Sequence, residues 1–384
     1  SSLWLFFPYI ANFYNAPILI DLIRVMGFVI IINAFSIIQN ADVVKNIDFK
    51  RRTKLMLLSS IFSSILAIYL ALNDFGVWSL VYLYLSYSLL LTLGLWFTSK
   101  WKPKLIFSIK SLKKMLSFGI WVLFAGLVRT IFDNIYVLII GKFFSITQAG
   151  FYTRSKQFQQ LIAQQFSQSI ANVSFPVFSK LQDSKNDLYK SAKLFLMLTL
   201  ACIVPILITL IVMAEPFILI LLTKKWLPMV PFLQLLCIVG ILYPIHLVNI
   251  QILIAKGETK LNFKLEIIKG VIRMINILIM YKYGIIFIII GEVFVSLISL
   301  LINTYYTKKI IGYSFIKQML DIKYILISGL IAGFLGHLLS YFFINLWLLL
   351  ILGSFVTIVS YSILLCMLDN NLFQDIRLIF KNKI

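Results

Sequence analysis

Long apolar stretches separated by short polar connectors make up almost the whole chain. An α-helix needs about 20 mostly apolar residues to cross the hydrocarbon layer of a bilayer, and soluble proteins rarely repeat such a stretch. The pattern therefore predicts an all-α polytopic membrane protein. The predicted spans are 19–42, 54–73, 77–98, 117–141, 150–178, 194–222, 229–254, 262–281, 284–306, 322–343 and 347–368, and 1–14 is interpreted as the end of a further helix whose start precedes the chain.

Lys and Arg are concentrated in alternate connectors. One set of connectors, together with the C-terminus, holds 25 of the 35 basic residues, the other set holds 4, and 6 lie within predicted spans. Because short loops rich in Lys and Arg remain in the cytoplasm, this split predicts a cytoplasmic C-terminus. The net charge of +21 then mostly reflects topology, and nucleic acid is not an expected partner.

Composition narrows the class of protein further. A hydrophobic fraction of 61% excludes a disordered chain and an ordinary soluble fold. Cys202, Cys237 and Cys366 lie in apolar stretches with no disulfide or metal spacing, so no metal site is expected. His246 and His337 are single histidines in predicted spans, and we interpret them as groups that hydrogen-bond between packed helices.

The chain also repeats itself at an offset of about 208–211 residues. Phe75-Gly76-Val77 aligns with Tyr283-Gly284-Ile285, and Pro17 aligns with Pro228. The repeating unit has six helices, and an even number gives both copies the same orientation, as in one class of transporters. The pattern predicts an incomplete N-terminal lobe (1–99), an amphipathic cytoplasmic linker (100–116), a C-terminal six-helix lobe (117–308), and an extra helix pair with a cytoplasmic tail (309–384).

Several local motifs are specific enough to indicate a family. They are IANFYNAP (10–17), GVWSLV (76–81), DNIYVLIIGKFFSITQAGFYTRSKQF (133–158), SFPVFSKLQD (174–183), TKKWLP (223–228) and ILIAKGETK (252–260). In this order they resemble the polysaccharide-exporter branch of the multidrug/oligosaccharidyl-lipid/polysaccharide exporter superfamily.

The resemblance implies a flippase of the bacterial inner membrane. Such a protein moves undecaprenyl-diphosphate-linked sugar units to the periplasmic leaflet for O-antigen, capsule or exopolysaccharide. It also implies alternating access to a central cavity between two lobes. The expected partners are the lipid-linked oligosaccharide, membrane lipids and other polysaccharide-assembly proteins.

Charged residues within spans usually face a cavity or a partner, because burying them in lipid is costly. Arg129 and Asp133 share a helix face, as an ion pair or as a diphosphate contact beside a carboxylate that binds Na⁺ or H⁺. Arg273 lies near mid-span and is the stronger anion ligand, whereas Glu266 and Lys269 lie closer to the head groups. Further substrate-binding candidates are Arg24 and Arg154, and Glu292 is a second candidate for ion coupling.

One predicted helix, 150–178, carries an unusual polar stripe. Amide side chains can join packed helices, and they can also bind sugar hydroxyls because they both donate and accept. We favour a cavity wall that faces glycan. The stripe consists of Gln157, Gln160, Gln164, Gln168 and Asn172.

Two other functions remain as alternatives. A multidrug or cation antiporter of the same superfamily would have the same fold, but would favour acidic cavity residues. A membrane polysaccharide polymerase would need a large extracytoplasmic loop, and the sequence has no paired carboxylates, nucleophile elbow or phosphate loop. We therefore expect a transporter and not an enzyme, with no cofactor and with either Na⁺ or H⁺ as a coupling ion.

Overall fold

All regular elements in the described part of the chain are helices. The computed structural model describes residues 17–45, 49–99, 108–342 and 345–369. The chain divides into two compact units, 1–115 and 116–384. The predicted all-α class is confirmed.

The first unit contains three long helices: α1 (Leu19–Lys45), α2 (Phe49–Leu72) and α3 (Trp78–Thr98). α3 packs against both of the others. Ser88 donates a hydrogen bond to Asn33 Oδ1 at 2.8 Å, and the Trp96 indole donates to the Phe35 carbonyl at 2.9 Å. Such bonds between polar side chains and neighbouring helices are a common way for membrane helices to associate.

The second unit contains most of α4 and all later helices. In order these are α4 (Ile109–Phe143), α5 (Ile146–Lys180), α6 (Lys185–Val212), α7 (Ala214–Leu221), α8 (Val230–Ala255), α9 (Thr259–Met280), α10 (Ile285–Ile311), α11 (Phe315–Leu338) and α12 (Leu346–Leu368). Short 3₁₀ segments lie at Lys224–Met229, Tyr281–Tyr283 and Leu339–Tyr341.

Side-chain caps mark where several of these helices begin. The hydroxyls of Ser145, Ser184 and Ser314 each accept a hydrogen bond from a backbone N–H in the first turn of α5, α6 and α11. Asn345 does the same for α12. Each cap satisfies an N–H group that has no partner within its helix.

Two helix boundaries differ from the sequence prediction. The predicted span 194–222 is two helices, because Pro216 has no N–H to donate to the Val212 carbonyl and α6 ends there. α4 begins at Ile109, so the last part of the predicted linker 100–116 is already helical. Residues 100–107 lie outside the described part of the chain.

Eight helical segments of the described part are long and apolar enough to cross a membrane. They are Leu19–Val43, Lys50–Leu72, Trp78–Thr98, Lys185–Val212, Lys224–Ala255, Ile285–Ile311, Phe315–Tyr341 and Leu346–Leu368. The chain is thus a multi-pass membrane protein. The predicted spans 117–141, 150–178 and 262–281 fall in α4, α5 and α9, which carry the charged and amide side chains, and their crossing of the bilayer stays a prediction.

α5 and α8 pack closely because α5 presents small residues to its neighbour. A Cβ at Gly240 of α8 would lie 2.9 Å from Gln159 Nε2 of α5. Ser174 donates to Gln251 Oε1 of α8 at 2.9 Å. Small residues let helix backbones approach in a membrane. The buried face of α5 consists of Tyr152, Ser155, Gln159, Ala163, Ser167, Ala171, Ser174 and Phe178.

α11 and α12 pack on the rest of the second unit mainly through α6, and α12 also contacts α7. Asn249 of α8 and Gln318 of α11 exchange two hydrogen bonds of 2.9 Å, and both side chains are buried. Asp321 of α11 pairs with Lys193 of α6 at 2.6 Å and accepts from the Tyr313 hydroxyl at 3.0 Å. Burial and the nearby Asp321 carboxylate raise the pKa of Tyr313, so its hydroxyl remains a donor.

Two loop glycines occupy corresponding places in the proposed repeat. Gly76 precedes α3 with a φ of 52°, and Gly284 precedes α10 with a φ of 108°. Both values lie in the region that favours glycine. The proposed repeat also pairs α1, α2 and α3 with α8, α9 and α10, which follow one another in the same order along the chain. These observations fit the repeat, while the two-lobe arrangement and the domain limits stay predictions.

Candidate functional site

A cavity of about 190 Å³, lined by both polar and apolar side chains, lies among the helices of the second unit. Its wall is formed by α4, α5, α8, α9 and α10. Membrane proteins place ionisable side chains where they face such cavities or one another. The polar lining residues are Tyr136, Lys156, Gln159, Gln160, Gln164, Tyr243, His246, Glu266, Lys269, Arg273, Glu292, Ser296 and Ser299.

α9 supplies three charged residues to the cavity wall. Glu266, Lys269 and Arg273 follow at spacings that place them on one helix face. Lys269 pairs with Glu266 at 2.5 Å, and only 5% of the lysine side chain is exposed. Gly270 permits α9 to lie against Phe132 of α4. The expectation that Glu266 and Lys269 lie closer to the head groups stays a prediction.

Glu292 of α10 is held by a tyrosine. The Tyr152 hydroxyl donates to Glu292 Oε2 at 2.9 Å, and the Tyr152 ring stacks on the Tyr136 ring with 6.2 Å between their centroids. Asn276 of α9 in turn donates to the Tyr136 hydroxyl at 3.2 Å. The Tyr152 hydroxyl of α5 thereby holds the carboxylate at the cavity wall.

The polar stripe of α5 divides between two surfaces. Gln160 and Gln164 line the cavity, whereas Gln157, Gln168 and Asn172 are exposed on this unit. Gln157 accepts from Arg154 at 2.9 Å, and Gln168 donates to Asn172 at 3.3 Å. At 3.6 residues per turn, each spacing of four rotates the stripe by about 40°. The later members therefore turn away from the cavity.

The other predicted residues lie apart from this cavity. Arg24 of the first unit is exposed and pairs with Asp21 of its own helix at 3.3 Å. Arg154 is also exposed. The side chains of Arg129 and Asp133 lie outside the described residues. Of the predicted set, the structure brings together Arg273, Gln160, Gln164 and Glu292 in one unit, and a cavity between the two lobes stays a prediction.

His246 and Ser296 also line the cavity but were not predicted to bind substrate. His246 Nε2 lies 3.1 Å from Ser296 Oγ. The sequence feature that could have indicated these cavity residues is the spacing of Ser296, Ser299 and Asn303. This spacing places three polar side chains on one face of α10. In the described part of the chain, no group of three His, Cys, Asp or Glu side chains could hold a metal ion.

The cavity suits a ligand that is both anionic and rich in hydroxyl groups. Lys156, Lys269 and Arg273 outnumber the two carboxylates in its wall. A guanidinium donates two parallel hydrogen bonds to a phosphate or carboxylate. The Gln160 and Gln164 amides offer both donors and acceptors. Fold and site together define a multi-pass α-helical membrane protein with a charged, polar cavity among its helices.

The particular family follows from comparison with known sequences. The family model described as "Polysaccharide biosynthesis protein" matches residues 1–231, and the chain belongs to this family. It is 29% identical over 263 residues to the teichuronic acid biosynthesis protein TuaB of Bacillus subtilis, covering 67% of this chain and 53% of TuaB. It is 24% identical over 244 residues to the succinoglycan biosynthesis transport protein ExoT of Rhizobium meliloti, covering 63% of this chain and 49% of ExoT.

These matches span about half the length of the curated relatives. The fold resembles the solved structure of the lipid II flippase MurJ in its inward closed conformation. The TM-score is 0.79 with 20% sequence identity, covering 96% of this chain and 80% of that one. At this identity the similarity shows a shared fold. The resemblance to polysaccharide exporters in the sequence motifs is confirmed by the family and by the transport function in the ExoT name.

Proposed function

We propose that the protein translocates a lipid-linked oligosaccharide across the bacterial inner membrane for the assembly of a surface polysaccharide. One observation carries the proposal: Arg273, Lys269, Gln160 and Gln164 line a single cavity formed by α4, α5, α8, α9 and α10. The family membership, the ExoT relative and the MurJ-like fold support the same reading. We also propose that the lipid that carries this oligosaccharide is undecaprenyl diphosphate.

The cavity chemistry fits the polar part of such a substrate. A diphosphate and its sugars cannot cross hydrocarbon without groups that replace their hydration. Arg273 offers a planar guanidinium suited to phosphate oxygens, and Lys269 adds a second cation in the same wall. Gln160 and Gln164 lie on the neighbouring α5, where they can hydrogen-bond to sugar hydroxyls.

Translocation would proceed by alternating access, with the C-terminus in the cytoplasm. Glu292, which accepts from Tyr152, is the described carboxylate that we propose for coupling to H⁺ or Na⁺. Asp133 remains the second candidate for this role. We propose that the protein is a transporter rather than an enzyme, acting with membrane lipids and with other polysaccharide-assembly proteins.

The test is translocation of an undecaprenyl-diphosphate-linked oligosaccharide by the protein in reconstituted vesicles. We expect Arg273→Ala to slow translocation by about 10- to 100-fold, because a hydrogen bond to a charged group contributes about 1.5–3 kcal/mol. Arg154→Ala is the matched control, since Arg154 is exposed and bonds to Gln157 of its own helix. We expect the control to translocate within about twofold of the unmodified protein.

The same vesicles separate the alternatives. Uptake of an organic cation, without movement of the lipid-linked sugar, would contradict the proposal and favour an antiporter. Elongation of the glycan in the vesicles would favour a polymerase. Normal translocation by Arg273→Ala, with membrane insertion verified, would show that this cavity does not carry the substrate.

A further inference from the structure

His246 lies in the cavity wall with both ring nitrogens close to polar atoms. Nε2 is 3.1 Å from Ser296 Oγ, and Nδ1 is 3.2 Å from Asn303 Nδ2. An amide nitrogen can only donate, so Nδ1 accepts and Nε2–H donates to the serine. The hydrogen bonds therefore hold a neutral imidazole in one tautomer.

The Asn303 side chain can also accept a hydrogen bond from the protonated form of this ring. Its side chain is fully buried, and its Oδ1 has no hydrogen-bond partner in the structure. A half-turn of the amide exchanges Nδ2 with Oδ1 and presents the acceptor to Nδ1. A protonated His246 would then donate to Ser296 on one side and to Asn303 on the other. In that state Oδ1 accepts from the ring instead of being left without a partner.

The charges around His246 decide when this state forms. α5 contributes Lys156, α9 contributes Glu266, Lys269 and Arg273, and α10 contributes Glu292. Glu266 is paired with Lys269, and Glu292 accepts from Tyr152. A proton on His246 would add positive charge to a wall with more cations than carboxylates.

Other titratable groups also lie on the elements around α8. Tyr136 and Tyr243 also line the cavity. In the same unit, Lys193 of α6 and Asp321 of α11 pair with each other. The side chains of Arg129 and Asp133 on α4 lie outside the described residues. An anion bound in the cavity is thus the group that would compensate a charged imidazole.

We propose that His246 takes up a proton when an anion binds in the cavity of the second unit. The inference rests on the proposed function for the anion, and it adds the residue at which a coupled proton is held. Because linkage is reciprocal, the anion favours protonation and protonation favours the anion to the same extent. Asn303 is the positioning residue that accepts from the charged ring.

Sulfate is a suitable probe because its charge is constant over the range in which histidine titrates, about pH 5 to 8. Calorimetric titration of the purified protein in two buffers of different ionisation enthalpy measures the protons taken up per sulfate. We expect uptake approaching one proton per sulfate, and affinity rising by up to about tenfold for each unit fall in pH. His246→Gln should still bind sulfate, with little proton uptake and a flat pH dependence.

His337→Gln is the matched control, since His337 is the chain's other histidine and is exposed at the end of α11. Its proton uptake should equal that of the unmodified protein. Asn303→Asp tests the geometry independently of His246→Gln. A carboxylate beside Nδ1 should protonate the ring before sulfate arrives, so uptake on binding should fall although binding persists.

Equal proton uptake by His246→Gln and the unmodified protein would overturn the inference, and so would sulfate binding without any proton uptake. Failure of the unmodified protein to bind sulfate would overturn the anion site itself. The translocation assay is a separate readout. Translocation without linked protons would contradict this inference alone, whereas linked protons without translocation would contradict the proposed function alone.

Discussion

At the scale of single residues, the cavity depends on contacts behind its wall. Asn276 of α9 donates to the Tyr136 hydroxyl and to the Ile288 carbonyl, both at 3.2 Å. A Cβ at Gly291 of α10 would lie 1.7 Å from Asn276 Oδ1. Gly291 must therefore lack a side chain for α10 to approach α9 and for Asn276 to keep both hydrogen bonds.

Gly291→Ala should lower stability by about 1–3 kcal/mol, since the methyl group displaces a buried, hydrogen-bonded amide. Gly150→Ala is the control, because a Cβ there meets nothing within 4 Å and alanine favours the helix. Thermal unfolding of the detergent-solubilised protein measures both variants. A melting temperature of Gly291→Ala equal to that of Gly150→Ala would show that the close contact is unimportant.

Gln160→Leu and Gln164→Leu should change which glycan is translocated more than they change expression. Each removes amide groups from the cavity wall, and a lost hydrogen bond costs about 0.5–1.5 kcal/mol, or about 2- to 10-fold in rate. Gln168→Leu, on the exposed side of the same helix, should leave glycan preference unchanged. Translocation of glycans that differ in hydroxyl pattern measures the effect, and equal preference in all three variants would contradict it.

At the scale of helices, α11 is fixed to the second unit by buried polar contacts rather than by apolar packing alone. Asn249 Nδ2 donates to the Ile245 carbonyl as well as to Gln318, and Gln318 Nε2 also donates to the Tyr313 carbonyl. Satisfied buried amides of this kind specify one arrangement of helices, because any other arrangement leaves polar groups without partners.

A double-mutant cycle on Asn249 and Gln318 should show strong coupling. Gln318→Leu alone leaves the buried Asn249 Oδ1 without a partner and should cost about 1–3 kcal/mol. Replacing both residues with Leu should cost less than the sum of the single changes, because no orphaned amide remains. Unfolding of the four proteins in detergent measures the coupling. Additive effects would show that the two amides contribute independently.

At the scale of the whole molecule, the orientation of the protein in the membrane is predicted from the basic residues in the connectors between its apolar helices. The predicted cytoplasmic connectors include 179–193 and 256–264, and both hold lysines. Lys256 in one of them donates to the Gln182 carbonyl in the other. The hydrogen bond places the two connectors at the same end of the second unit, as the positive-inside rule requires.

Single-cysteine labelling tests this orientation. In a background with Cys202, Cys237 and Cys366 replaced by Ala, Asn186→Cys should be protected from a membrane-impermeant thiol reagent in intact cells. Asn73→Cys should react, because it lies in the connector on the opposite side. Both positions are exposed, so access to the reagent depends on the membrane and not on burial. Reaction of Asn186→Cys from outside would reverse the topology.

The apolar pattern predicted most of the long helices in the described part because the bilayer imposes their length. Boundaries differed where local chemistry intervened, as at Val212, where α6 ends because Pro216 has no N–H to donate to the Val212 carbonyl. The lysine distribution and the family motifs are also properties of the sequence. They predicted a multi-pass membrane protein related to polysaccharide exporters, which the family match confirmed.

Only the tertiary structure decided which polar residues share a cavity. Helical periodicity places Gln160 and Gln168 near one stripe, yet only Gln160 reaches the cavity, because exposure depends on which neighbour covers each turn. His246 lies 50 residues from Ser296 and 57 from Asn303 along the chain, and their hydrogen bonds exist only once α8 packs against α10. A one-dimensional pattern specifies a helix face, whereas a site requires the partner that lies opposite that face.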